Sequence, residues 1–304
     1  RLVTSGAMGL AEGAGRDEVV RRAITGVSPY KGLLAYQADD AEDFFGRDTD
    51  IAALLARVAA SRLLAVVGAS GSGKSSLVRA GLLPSLRRGA LAGSAEWPQV
   101  LLNAGARPLL ELAAGVAAAR ALPAGEVMSA LEAGGGGLDE IVRRAADGSA
   151  TAPARVVIVI DQFEEIFTAC QDAAERERFA ETLLHAATVP DGRALVIAVM
   201  RSDFFGHCAE LPGLAAALES STVLLGPMDE GALRAVIEGP ARRADLTLEP
   251  GLADAMIHDV AGEPGGLPLL SHALYETWER REHRALTLAG YRDAGGARGA
   301  IART

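Results

Sequence analysis

Apolar positions along the chain fall into two patterns. Short apolar stretches, 63–67, "PQVLLNAG" at 98–105, "VVIVI" at 156–160, "ALVIAVM" at 194–200 and "STVLL" at 221–225, read as five strands, the unbroken ones among them buried. Between them the apolar residues recur at helical spacing, as at Ile51, Leu54, Leu55 and Val58. Helices are expected at "SSLVRAGLLPSL", closed by Pro84, at "RPLLELAAGVAAARAL" and at "AERERFAETLLHAA". Strands alternating with helices predict an α/β fold with a parallel sheet of about five strands between helical layers.

The pattern changes at both ends. Beyond Pro227 no strong strand is expected, and "MDEGALRAVIEGPARRA", "EPGLADAMIHDVAG" and "LPLLSHALYETWERRE" read as three helices of a small separate domain. Residues 1–28 read as a linker with one short helix at "RDEVVRRAI". The stretch from "ALEAGGGG" to "TAPA", 130–154, reads as a variable connection around one short helix. The final "GAIART" looks like the first turns of an unfinished helix, which predicts a fragment of a longer protein. The expected organisation is a linker at 1–28, an α/β core at 29–226, a helical lid at 227–290, and the start of a further helical or winged-helix domain at 291–304.

Composition narrows the function classes. Hydrophobic residues make up 49% of the 304 but aromatics only 4%, so the core is mainly Ala, Leu and Val. The apolar runs fall far short of the roughly 20 residues that span a bilayer, so no membrane role is expected. The two cysteines, Cys170 and Cys208, lack CxxC spacing, and no signal-peptide pattern precedes them; a reducing cytoplasm is expected rather than a disulfide framework. The five histidines lie scattered, without metal-type pairing. A net charge of −9 argues against direct nucleic-acid binding by this segment.

Chemistry is concentrated in "GASGSGKSS". Gly68, Gly73, Lys74 and Ser75 satisfy G-x-x-x-x-G-K-[ST] between a predicted strand and a predicted helix, which is the context a phosphate-binding loop requires. Glycines let successive backbone N–H groups point inward, the helix N-terminus adds its positive dipole end, and Lys74 reaches the outer phosphates. Ser70, Gly71, Ser72 and Ser76 complete the cradle. Lysine occurs in this chain only at Lys31 and Lys74 among 30 basic residues, so a lysine here is not the local default. The stretch lacks the third glycine of G-x-G-x-x-G and the last of G-x-S-x-G, which removes dinucleotide binding and serine-hydrolase chemistry.

A phosphate loop works with Mg²⁺ held by the loop Ser/Thr and an Asp ending a neighbouring buried strand. Ser75 and Asp161, in "VVIVIDQFEEIF", fit those roles, although Asp161 could also act as a simple helix cap. Gln162 stands where many such ATPases carry a water-polarising Glu. Glu164 or Glu165 could orient the attacking water instead, with Glu164 favoured. Arg201 ends the run "ALVIAVMR", where a guanidinium would sit beside the phosphates.

Together "SPYKGL", "FFGRDTD", "GASGSGKSSLVRAGLLPSL", "VIDQFEEIF", "VMRSDFF", "GPMDEGALRAVIEGPA" and "GEPGGLPLLSHAL" resemble the bacterial novel STAND class of P-loop ATPases over about residues 28–304. The resemblance implies that Phe45, Gly46 and Arg47 lie near an adenine, that Lys74, Ser75 and Asp161 hold phosphate and Mg²⁺, that Arg201 is a sensor arginine, and that Pro268 reaches the base from the lid. "GGLP" is equally an ordinary turn before a helix, with Pro near its start. The resemblance further implies an ATP/ADP switch: ADP holds a closed form, ATP opens it, and opening permits homo-oligomerisation or effector release in a signalling or transcriptional regulator. Effector and sensor domains would lie elsewhere in a longer chain. Two other readings stay open, a metabolic kinase or other phosphotransferase, and a nucleotide-binding scaffold without turnover.

Overall fold

The computed structural model describes residues 26–146, 155–262 and 265–301. The expected helix at "RDEVVRRAI", the end of the 130–154 connection, Glu263 and Pro264, and the last three residues of "GAIART" lie outside the described residues. The chain divides into two compact units, one formed by Asp48–Pro227 and the other by the residues up to Arg47 together with those from Met228 onward.

The first unit carries one five-stranded sheet. Strands β1 (Leu63–Gly68), β2 (Gln99–Asn103), β3 (Val156–Asp161), β4 (Ala194–Arg201) and β5 (Thr222–Leu224) lie in the order β2-β3-β4-β1-β5 and are parallel throughout. Every residue of β1 and β3 is buried, as their unbroken apolar runs require. The longer helices of this unit are α1 (Asp48–Ala60), α2 (residues 74–87), α3 (Pro108–Arg120), α4 (Ala124–Glu132), α5 (Gly137–Ala146) and α6 (Ala173–Thr188). Leu112 and Val116 of α3 and Phe179 and Leu183 of α6 pack with Ile158, Ile160 and Val196 of the sheet in a single core.

Two local expectations are corrected. Pro84 does not close the helix after the glycine loop: α2 runs through it to Arg87, with Leu77–Leu82 wound as a π-type turn in which the Leu83 N–H donates to Val78 O. Pro84 then lies in the first turn of the segment Leu83–Arg87, where a missing N–H costs little. The 130–154 stretch belongs to more helix than its glycines suggest. Val127 and Leu131 of α4 and Leu138, Ile141 and Val142 of α5 are buried in the sheet unit's core. A Cβ at Gly137 would lie 1.8 Å from Ala130 O, so the last of the four glycines permits the approach of α5 to α4.

The second unit contains α7 (Glu230–Arg243), α8 (Leu252–Val260) and α9 (Gly266–Glu279), followed by the short helices Leu288–Asp293 and Gly296–Ile301. Thr247–Leu248 and Ala285–Leu286 form a parallel pair of two-residue strands, too short to register as an apolar pattern. Residues 26–47 cluster with these helices. Tyr30, 2% exposed, donates its hydroxyl to Ile237 O at 2.7 Å, and Ser271 donates to Gly32 O at 2.5 Å. Arg243 pairs with Glu42 and Asp43.

Both cysteines are buried. Burial pushes the Cys208 thiol up to about 11 and raises Cys170 as well. Because the folded state disfavours the thiolate, any stability gained from the neutral thiols is present below the unfolded pKa of about 8.5 and declines as pH rises through the folded value. At pH 8 neither side chain should alkylate in native protein within the time that urea-unfolded protein reacts fully, as read by intact mass.

Candidate nucleotide site

The site is built at the C-terminal ends of the parallel strands, where open α/β sheets bind ligands. Strand register sets Gly68 opposite Arg201 and Asn103 opposite Asp161. Gly68 has to be glycine: a Cβ there would lie 2.9 Å from Leu225 O and 3.0 Å from Ser72 Oγ. Gly71 and Gly73 adopt positive φ, 73° and 87°, which bends the loop through Ser70, exposed, and Ser72 and starts α2 at Lys74. Ser76 follows in the same first turn.

Lys74 is 8% exposed and donates to Ala69 O at 2.7 Å, folding its ammonium over the loop. Burial holds its pKa below the ordinary lysine value, with Glu164 and then Asp161 acting in the opposite sense. Ser75 Oγ donates to Asp161 Oδ1 at 2.9 Å, so a hydroxyl and a carboxylate stand side by side. The Gln162 N–H donates to the same oxygen, and Gln162 takes φ 51°, a conformation unusual for a residue with a side chain. Its side-chain oxygen accepts from Asn103 Nδ2 at 2.9 Å.

The two glutamates diverge. Glu164 Oε2 accepts from the Arg201 backbone N–H at 3.3 Å, and this carboxylate acts electrostatically on Lys74. Glu165 Oε2 accepts from the Gly105 N–H at 2.9 Å, just past β2. Arg201 directs its guanidinium to Asp203, at 3.1 and 2.6 Å, and over the Phe204 ring. That pairing raises the arginine's pKa and lowers the Asp203 carboxyl's.

The remaining sequence candidates lie in the helical unit. Phe45 packs its ring on Gly239 of α7, where a Cβ would fall 2.5 Å from the ring. Gly46 has φ 83°, and a Cβ there would lie 2.5 Å from Ala232 O. Arg47 is 5% exposed, and Pro268 stands in the first turn of α9. The structure thus gathers the loop, Asp161, Glu164 and Arg201 in one unit, with Phe45, Gly46, Arg47 and Pro268 in the other.

Three residues escaped the sequence reading: Asn103, Asp203 and Arg79. Arg79 Nε and Nη2 both approach Asp161 Oδ2, at 2.9 and 2.8 Å. Its place four residues after Ser75, on the same helix face, was the available signal.

A Mg²⁺ ion takes hard oxygen ligands and is bound through one or two carboxylates together with phosphates and water. The Ser75 hydroxyl and Asp161 carboxylate, held 2.9 Å apart, are such a donor set.

Among solved structures, the Aeropyrum pernix ORC2 protein in ADPNP–ADP complexes matches with TM-score 0.58 and 18% identity, over 82% of this chain and 66% of that one. The chain therefore spans slightly under two thirds of that protein. A Walker-type ATPase of Pyrococcus abyssi matches with TM-score 0.57 and 16% identity, over 88% of this chain and 76% of that one. The Aeropyrum pernix ORC1 protein in complex with DNA matches with TM-score 0.55 and 19% identity, over 87% and 68%. At these identities the likeness is one of fold. A comparison with curated protein sequences found no significant match. The model of one family, Novel STAND NTPase 1, matches residues 29–304, and a phosphate loop, a strand-ending aspartate and a five-stranded parallel sheet accompany that match: the chain belongs to the Novel STAND NTPase 1 family.

Proposed function

We propose that the chain is an ATP-binding, slowly hydrolysing switch domain in which the exchange of ADP for ATP is the signal. The observation that carries this reading is the convergence of Lys74, Ser75, Asp161, Glu164 and Arg201 at one sheet edge of a family member. In this reading the loop N–H groups and Lys74 bind the phosphates, and Ser75 and Asp161 hold Mg²⁺. The metal, when bound, neutralises charge on the phosphate oxygens.

Glu164 orients the attacking water, since it is the glutamate whose charge acts on Lys74, while Glu165 turns to the Gly105 N–H past β2. Arg201 must exchange Asp203 for the outer phosphate before it can stabilise charge there, and this supports slow turnover. Phe45, Gly46, Arg47 and Pro268 remain the candidates for adenine contact. Nucleotide-dependent homo-oligomerisation and control of an effector are part of the same proposal.

The first test is to denature freshly purified protein and quantify the released nucleotide by chromatography; near-stoichiometric ADP is expected. The second compares turnover. Glu164→Gln should lower kcat by about 10²-fold or more, in the range of lost acid–base or water-positioning groups, with ADP affinity retained. Glu165→Gln should change kcat only a few-fold. Equal losses in both variants would remove the assignment to Glu164, and turnover unaffected by either would favour the scaffold reading.

A further inference from the structure

Strand β3 leaves its ladder with β4 one residue out of step. The register pairs Val156 with Ala194 and Ile160 with Ala198, and the Val156 N–H donates to Arg193 O, one residue before its partner. Continued at that spacing, the Gln162 N–H would donate to Val199 O. In the structure the Phe163 N–H takes Val199 O, at 2.9 Å, and the Gln162 N–H turns to Asp161 Oδ1. One extra residue is therefore set into the end of β3 in the manner of a β-bulge, and Gln162, with φ 51°, is that residue.

A slip of one residue changes what each following side chain faces. Phe163 enters the core at 1% exposure and stacks on Phe179, with ring centroids 6.4 Å apart. Glu164 comes next and meets the end of β4, where it accepts from the Arg201 N–H. A left-handed backbone is uncommon for glutamine, and such conformations persist where the surroundings over-determine them. Here the two neighbouring strands do so from opposite sides. The Gln162 side-chain oxygen accepts from Asn103 Nδ2 of β2, while the next residue is tied to β4. Both bonds join neutral groups, so phosphate and Mg²⁺ held by Lys74, Ser75 and Asp161 do not compete for them.

We infer that Gln162, braced by Asn103, is the positioning residue that aims the Glu164 carboxylate at the attacking water. This rests on the assignment of that water to Glu164. The inserted residue accounts for a working carboxylate three residues after Asp161 rather than next to it. Without the amide brace the turn still closes through the Phe163 N–H, but its tip is no longer fixed to β2, and the Glu164 carboxylate samples more than one direction.

The test is single-turnover hydrolysis of radiolabelled ATP with Mg²⁺, in Asn103→Ala and Gln162→Gly, each in the wild-type and the Glu164→Gln background. Asn103→Ala removes the brace alone; Gln162→Gly removes it and relieves the left-handed backbone. Each should slow hydrolysis by about tenfold in the wild-type background, as expected of a displaced reacting group. In the Glu164→Gln background neither should slow it by more than about twofold, because the group they position is gone. ADP affinity should stay within about twofold of wild type, and the melting temperature within about 3 °C, which a merely structural role would not spare. Unchanged hydrolysis in both single variants overturns the inference, and so does an equal loss in both backgrounds, which would mean that the amides act on the nucleotide themselves. If Glu164→Gln alone hydrolyses as fast as wild type, the assignment of the water to Glu164 falls, and this inference with it.

Discussion

Lys74→Ala should abolish measurable nucleotide binding, with a loss of at least about a hundredfold in affinity, equivalent to ~2.7 kcal/mol. The expectation follows from where the ammonium sits. It is buried at the start of α2, where it donates to the neutral Ala69 carbonyl. A phosphate oxygen is a stronger partner for it, because it adds the attraction of an opposite charge, in a partly buried site, to the hydrogen bond the ammonium already makes. Burial also holds the lysine's pKa down, so folding carries a cost for keeping it charged near neutral pH. The nucleotide-free variant should therefore be no less stable than wild type. Circular dichroism beside a binding titration checks both halves, and tight ATP binding by a folded Lys74→Ala protein would remove the phosphate-loop reading.

The largest effect on stability is expected at Gly46. Its φ of 83° is the left-handed region, and a Cβ would meet Ala232 O at 2.5 Å and Val236 at 3.0 Å. Gly46→Val adds a left-handed conformational penalty of about 1–2 kcal/mol and an overpacking term of about 1–3 kcal/mol. The backbone carbonyl of α7 cannot move aside as a side-chain tip could, so the helical unit carries the cost. The chain's two tryptophans give separate reporters, since Trp97 lies in the sheet unit and Trp278 in α9. In a Trp97→Phe background, the urea midpoint read by Trp278 should fall by about 1 M or more. An unmoved midpoint would mean that the turn at Gly46 adjusts freely.

Local signals made the sheet and the phosphate loop legible in the sequence. The runs at 63–67, 156–160 and 194–200 are unbroken and apolar because those strands are buried on both faces, and each lies within the strand observed. The loop glycines and Lys74 are contiguous, so one motif reports them together. Pairings between distant residues left no such trace. Glu165 binds the Gly105 N–H, 60 residues away, and Arg79 reaches Asp161 across 82. Pro84 misled because proline usually ends a helix, whereas here a π-type turn delivers it to a tolerant position. The grouping of residues 26–47 with the C-terminal helices depends on contacts such as that of Tyr30 with Ile237, which no periodicity encodes.

That contact also sets an order of events during synthesis. Tyr30 waits for a partner 207 residues further along the chain. At about 5–20 residues per second, Ile237 follows on the order of 10–40 s later, time enough for the sheet unit to begin folding on the ribosome. Meanwhile the segment at 26–47, including the side chains of Tyr30 and Phe45, has no helices to cover it, and is a natural point of call for a chaperone. Truncation before α7 would leave the same segment permanently uncovered, so deletions at the C-terminal side should make the N-terminal segment the first place a protease cuts.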